Sequence, residues 1–180
     1  AAARADTGFT YVDPAMLGER GPSFVAPGGS LPRTAVILPS GHELADIPFK
    51  DLRFAVLDLE TTGLFAGLSE IIEVGIYEVH DGRVRPGFAS LVRPRGHLPF
   101  AITALTGIDE EMLSGAPRLG EVARELHDAL LGTVLVAHNA TFDLAFIDRA
   151  FAEHGHESWD GPVVCTRRLA RRLRPDLKRR

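Results

Sequence analysis

The chain is 180 residues long, 45% of them hydrophobic and 24% charged, with a formal net charge of −4. That length suits one domain with an extension, and that apolar share suffices for a packed core. No apolar run approaches the roughly 20 residues of a membrane span and no secretory signal pattern is present, while the single cysteine, Cys165, excludes an internal disulfide framework and fits a reducing compartment such as the cytoplasm.

Residues 1–50 are rich in Pro and Gly and show no sustained period. They read as an N-terminal extension or linker, with one short strand at Thr34–Leu38. The texture changes at Asp51. Arg53–Glu60 and Glu70–His80 read as strands, Asp81-Gly82 as the turn of a hairpin, and Val84–Arg93 as its second arm, before a loop over Pro94–Pro99. Short helices are predicted at Ala101–Leu105 and Asp109–Leu113. A clear amphipathic helix follows over Leu119–Leu131, with Val122, Leu126, Ala129 and Leu130 on one face and Gly132 at its end. Thr133–Ala137 is a continuous apolar run of the buried parallel kind, Thr141–His154 a second helix ended by Gly155, and Val163–Val164 a fifth strand. Three antiparallel strands followed by strand–helix alternation predict an α/β fold with a mixed sheet flanked by helices.

Charge is unevenly spread. Residues 165–180, CTRRLARRLRPDLKRR, hold eight Lys/Arg and one acid, leaving 12 basic and 23 acidic residues elsewhere. A basic tail beside an acidic body is the asymmetry of a phosphate-binding edge on a metal-binding domain, although a solvated helix face has the same composition. The chain starts at Ala1 and stops on LKRR without a cap, which reads as a piece of a longer protein.

Two segments carry chemistry. In FAVLDLETTGL, residues 54–64, Asp58 and Glu60 lie two apart on a strand and so share one face, with Leu57 and Leu59 on the other. Adjacent carboxylates repel unless a cation lies between them, and Mg²⁺ or Mn²⁺ prefers such oxygens. Thr61-Thr62-Gly63 adds hydroxyls, backbone N–H groups and a glycine at the strand's exit. By itself the pattern fits a solvent-facing acidic strand equally well. In HNATFDLAFI, residues 138–147, polar residues stand where a buried strand runs into a helix, the edge where α/β sites lie. Asn139 or Thr141 can cap that helix, with Asp143 in its first turn; a purely structural cap also satisfies the pattern.

Taken together, Asp-x-Glu-Thr-Thr-Gly and, about eighty residues on, His-Asn-x-x-Phe-Asp resemble the DnaQ-like 3′–5′ exonucleases. The group is the DEDDh type of the polymerase III proofreading subunit and ribonuclease T, and the resemblance runs over roughly Leu52–Arg180. EIIEVGIYEV resembles its second strand and ITALTGI its substrate-side loop. The resemblance implies a ribonuclease-H-like domain over 51–180 that removes nucleotides from 3′ ends of DNA or RNA by two-metal-ion hydrolysis. The implied metal ligands and catalytic acids are Asp58, Glu60 and Asp143, holding Mg²⁺ or Mn²⁺. The implied substrate contacts are Thr61, Thr62 and Gly63 near the terminal 3′-hydroxyl, Leu64 and Phe142 against the last bases, Thr106 in the nucleotide pocket, and His138 and Asn139 in support, with the basic helix from Arg167 near the phosphate backbone. Implied partners are single-stranded 3′ ends and a DNA polymerase or fused domain, in replication proofreading or repair, and no membrane.

The family's remaining pair, His-x4-Asp, has no counterpart after Asp143. His156 and Asp160 are spaced His-x3-Asp and precede the basic helix, which makes them a decoy. The domain is therefore expected to be C-terminally incomplete and these residues alone to cleave little, for want of a local base. The rival readings are a catalytically dead nucleic-acid-binding or polymerase- or clamp-docking module on the same fold, and another metal-dependent phosphohydrolase.

Overall fold

The computed structural model describes residues 47–174 and 176; the strand expected at Thr34–Leu38 lies outside them. A short 3₁₀ turn at Phe49–Asp51 leads into β1 (Arg53–Thr61), and the Phe49 ring packs on Phe54 at 4.8 Å between centroids. Next come β2 (Ile71–His80), β3 (Arg83–Leu91), α1 (Phe100–Thr106), α2 (Glu110–Ser114), α3 (Leu119–Leu130), β4 (Val134–Ala137), α4 (Thr141–Glu153), β5 (Val163–Cys165) and α5 (Thr166–Leu173). The strands form one sheet in the order β3-β2-β1-β4-β5. β1 pairs antiparallel with β2 and parallel with β4, so the mixed sheet expected from the sequence is present. It is the ribonuclease-H-like arrangement.

Local chemistry explains the joints. Asp81 and Gly82 both adopt positive φ (50° and 69°) between the paired residues His80 and Arg83, a two-residue turn whose twist matches the flanking strands. β3 sits at the sheet's edge and carries Pro86, which needs no ladder partner for its missing N–H. α1 ends at Gly107 in the left-handed region, and Asp109 caps α2 by accepting from the Met112 N–H at 2.8 Å.

The core lies on one face of the sheet. Ala55, Leu57 and Leu59 of β1, with Val74 and Ile76 of β2, meet Val122, Leu126 and Leu130 of α3 and Phe146, Ile147 and Phe151 of α4. The opposite face of β1 carries Val56, which is 38% exposed, together with Asp58 and Glu60. A register shift falls directly after the two acids: Glu60 pairs with Glu73, but Thr61 pairs with Ile71. The extra residue, Ile72, is fully buried in a second cluster with Leu98, Ile108 and Leu113. This bulge ties α1 and α2 to the strand end that carries the acids. Among the described residues no helix is long and apolar enough to cross a membrane.

Packing of this kind fixes what a core truncation costs. Leu126→Ala is expected to destabilise the chain by about 2–5 kcal/mol, whereas Leu68→Ala, at an exposed position, stays within about 0.5 kcal/mol. Urea denaturation midpoints of the two variants check this.

Candidate active site

Period-2 alternation sets the first half of the site. Because Leu57 and Leu59 are buried in the core, Asp58 and Glu60 are directed to the other face of β1. The second half comes from the β4–α4 junction. There Asn139 is left-handed (φ 63°) and Ala140 precedes α4 in helical conformation. The cap expected from Asn139 or Thr141 is not made by either side chain. The Asn139 Oδ1 instead accepts from Arg167 Nη1 of α5 at 2.7 Å, while its carbonyl accepts from the Phe142 N–H at 2.8 Å. His138 Nδ1 lies 3.1 Å from Thr166 Oγ1. The sequence suggested a cap; the structure uses these residues to fasten the start of α5 to the start of α4.

That junction also surrounds Cys165. Burial pushes its thiol up, but backbone N–H groups of Arg168, Ala140, Asn139 and Arg167 outweigh this and hold it below the usual thiol range.

The turn delivers Asp143 into the interior. It is 3% exposed, and its Oδ2 is buried with no hydrogen-bond partner. Burial raises its pKa to about 7; its own backbone N–H lowers it in part, and the charge of Asp58 raises it further. A carboxylate in the first turn of a helix is ordinarily favoured by about 0.3–1 kcal/mol, so desolvation has overridden the helix dipole here. Burial also raises Asp58, with His138 opposing, and raises Glu60, with Asp58 and Glu73 adding to it. One chain of repulsion thus runs from Glu73 through Glu60 and Asp58 to Asp143.

Among the described residues no three His, Cys, Asp or Glu side chains already converge as a metal-holding group. The donors nevertheless fit a hard divalent cation: they are carboxylate oxygens, and one of them is buried without any partner.

The remaining sequence-derived residues take varied positions. Thr61 is buried and donates its hydroxyl to the Gly63 carbonyl at 2.7 Å. The Thr62 N–H donates to the Glu70 carbonyl at 2.8 Å, and its Oγ1 accepts from the Glu70 N–H at 2.9 Å, so Thr62 closes the loop between β1 and β2. A Cβ on Gly63 would stand 2.7 Å from Ser69 Oγ, so a larger residue there requires the Ser69 side chain to turn away. Leu64 is exposed, while Phe142 is half-buried with its ring 5.0 Å from that of Phe146. The Thr106 hydroxyl donates to the Ile102 carbonyl and accepts from the Ile108 N–H, an internal role in shaping the turn after α1. His156 stacks on His127 at 4.8 Å and lies edge-on to Phe151, near the far end of α4 from Asp143.

Sequence reading passed over Glu73. Its place opposite Glu60 follows from the β1–β2 register, and EIIEVG offered the signal of one acid inside an apolar strand.

With this geometry in place, comparison with known proteins identifies the family. A family model described as "Exonuclease" matches residues 55–180. The chain belongs to the DnaQ-like exonuclease family. Among relatives of this exonuclease domain, a DNA polymerase III PolC-type of Halalkalibacterium halodurans is 39% identical over 141 residues, which are 78% of this chain and 10% of that protein. A DNA polymerase III subunit epsilon-like protein of Rhodobacter capsulatus is 44% identical over 126 residues, 68% of this chain and 18% of that protein. The chain thus spans about a tenth of the length of the PolC-type relatives. A product-bound exonuclease I has the same fold at 16% identity, with a TM-score of 0.62 over 70% of this chain and 33% of that one. Exonuclease X in complex with 5′-overhanging duplex DNA is 30% identical, with a TM-score of 0.54 over 69% of this chain and 66% of that one.

The buried acid makes a stability prediction. A carboxyl whose folded pKa exceeds its unfolded value near 4 keeps its proton in the folded state while the unfolded chain ionises. Stability is unaffected below about pH 4 and falls as pH rises from there to about 7, by roughly 1.4 kcal/mol per unit of separation. Asp143→Asn, a neutral isostere, is expected to raise the thermal midpoint of the metal-free exonuclease domain at pH 8 and to leave it near wild type at pH 4. Melting curves of both proteins across this range check the sign.

Proposed function

We propose that Asp58, Glu60 and Asp143 together hold Mg²⁺ or Mn²⁺ and that the domain removes nucleotides from the 3′ ends of DNA. The observation that carries this reading is the chain of coupled carboxylates ending in Asp143, whose buried oxygen has no partner in the protein. Such an arrangement is costly to a fold and finds its counterpart in a divalent cation. Bound by these oxygens, the metal ions supply a water of lowered pKa and neutralise charge on the phosphate and leaving oxygens.

The protein's own groups do the rest. Asp143 gives up its proton to become a ligand, which favours neutral to alkaline conditions. The Thr61–Gly63 turn, fixed from within by the Thr61 hydroxyl and the Glu70 contacts, seats the terminal 3′-hydroxyl. Leu64 and Phe142 press on the last bases without reading them. His138 sits close enough for Asp58 to feel its charge, and Asn139 holds Arg167 beside the path of the phosphate backbone. Relatives named as DNA polymerase III support DNA as the substrate and a replicative polymerase as the partner, in proofreading or repair.

His138 already shares its Nδ1 with Thr166, and His156 is stacked at a distance from Asp143 along α4. We therefore expect these 180 residues alone to cleave slowly or not at all, and a longer chain that supplies the family's His-x4-Asp pair to cleave well. Gel analysis of 5′-labelled single-stranded DNA with Mn²⁺ tests both statements. The longer chain is expected to shorten the strand stepwise from its 3′ end, and Asp58→Asn or Asp143→Asn to abolish this. Undiminished shortening by those variants overturns the metal-ligand assignment, and robust shortening by the 180 residues overturns the need for a further base.

A further inference from the structure

Residues 62–69 leave β1 and return to β2, and this loop exposes three large apolar side chains: Leu64 (77%), Phe65 (70%) and Leu68 (89%). From the loop, Ala66 packs against the main core, and polar contacts complete its anchoring. Leu68 and Ser69 each donate their N–H to the Phe65 carbonyl at 2.8 Å. Arg149, on α4 and six residues beyond Asp143, donates Nη1 to the carbonyls of Ala66 and Ser69. Its Nε donates to Glu153 Oε1 at 2.7 Å. Glu153 Oε2 lies 3.6 Å from Arg95 Nη2, and the Arg95 backbone N–H donates to Glu70 Oε2 at 2.9 Å, closing the circuit at the loop's exit. Ser69, Glu70, Arg95, Arg149 and Glu153 line a cavity of about 420 Å³, so here the loop is spanned by hydrogen bonds and ion pairs instead of tight side-chain packing.

From this arrangement we propose that Arg149 is a positioning residue: it holds the 62–69 loop so that Leu64, Phe65 and Leu68 form one apolar platform for the terminal bases of a single strand. The inference rests on the nuclease reading above. Base faces are a sequence-tolerant partner for exposed apolar side chains, and Leu64 follows Glu60 by only four residues along the chain. The guanidinium is suited to the task, since its rigid fork serves two carbonyls and a carboxylate at once, which a lysine does not. Because Asp143 and Arg149 belong to one helix, the acid and the platform keep a fixed relation.

Binding of a 5′-fluorescein-labelled single-stranded dT oligonucleotide of about ten nucleotides with a free 3′-hydroxyl, measured on the full chain without metal, tests the proposal. Arg149→Met is expected to weaken binding by about tenfold, in the range of losing one stacked base, and Arg149→Lys to restore little of it. Mn²⁺ affinity should equal that of wild type, which a general loss of structure would not leave intact. In the combined Leu64→Ala, Phe65→Ala, Leu68→Ala background, adding Arg149→Met should weaken binding by less than about twofold, since the two changes act through one surface. Full additivity, or an Arg149→Met variant that binds as wild type does, overturns the proposal. If wild type binds no strand, the nuclease reading falls, and hydrogen exchange at the Leu68 and Ser69 amides then decides on Arg149 separately. Faster exchange in Arg149→Met supports the anchoring role, and unchanged exchange removes it.

Discussion

Repulsion among carboxylates held on a rigid frame is the constraint around which this domain is organised. Glu60 and Glu73 face each other across paired strands, Asp58 shares their face, and Asp143 arrives from α4 with an oxygen that no protein group satisfies. Left to relax, such groups would swing into water. Asp143 cannot, because α4 is packed into the core through Phe146, Ile147 and Phe151, whereas Asp58 stays exposed on the outer face of β1. The hydrophobic core therefore does more than stabilise the chain. It holds these acids in place against their mutual repulsion.

The periphery is built to the same end. The bulge after Glu60 buries Thr61 and turns the chain into a loop, while α5 is pinned to the β4–α4 turn through Asn139 and Thr166. Two segments separated by about eighty residues are thereby brought to one sheet edge, where strand ends and helix starts gather.

Much of this was legible in the chain itself. Alternation marked β1 and placed its acids on one face; Asp81-Gly82 specified the hairpin; Gly132 and the i, i+4 apolar spacing bounded α3. These are local signals, carried by backbone preference and by period. What stayed hidden depended on register or on distance. The position of Glu73 is set by the pairing register of β1 with β2, which composition does not reveal. The hydrogen bonds by which the Thr62 and Thr106 hydroxyls shape turns of their own backbone were not legible either. The link from Arg149 to the 62–69 loop joins residues some eighty apart, and no short pattern announces it. Asn139 shows the reverse case, a residue suited to capping that a distant arginine recruits for another purpose.

The edges of the sheet have a bearing on how this domain meets copies of itself. On one side β5 is only three residues long, and on the other β3 is interrupted by Pro86 and by an irregular register. Neither offers a long, straight row of unpaired backbone groups to a neighbouring strand. Copies of this domain are thus shielded from joining sheet to sheet, even at high local concentration.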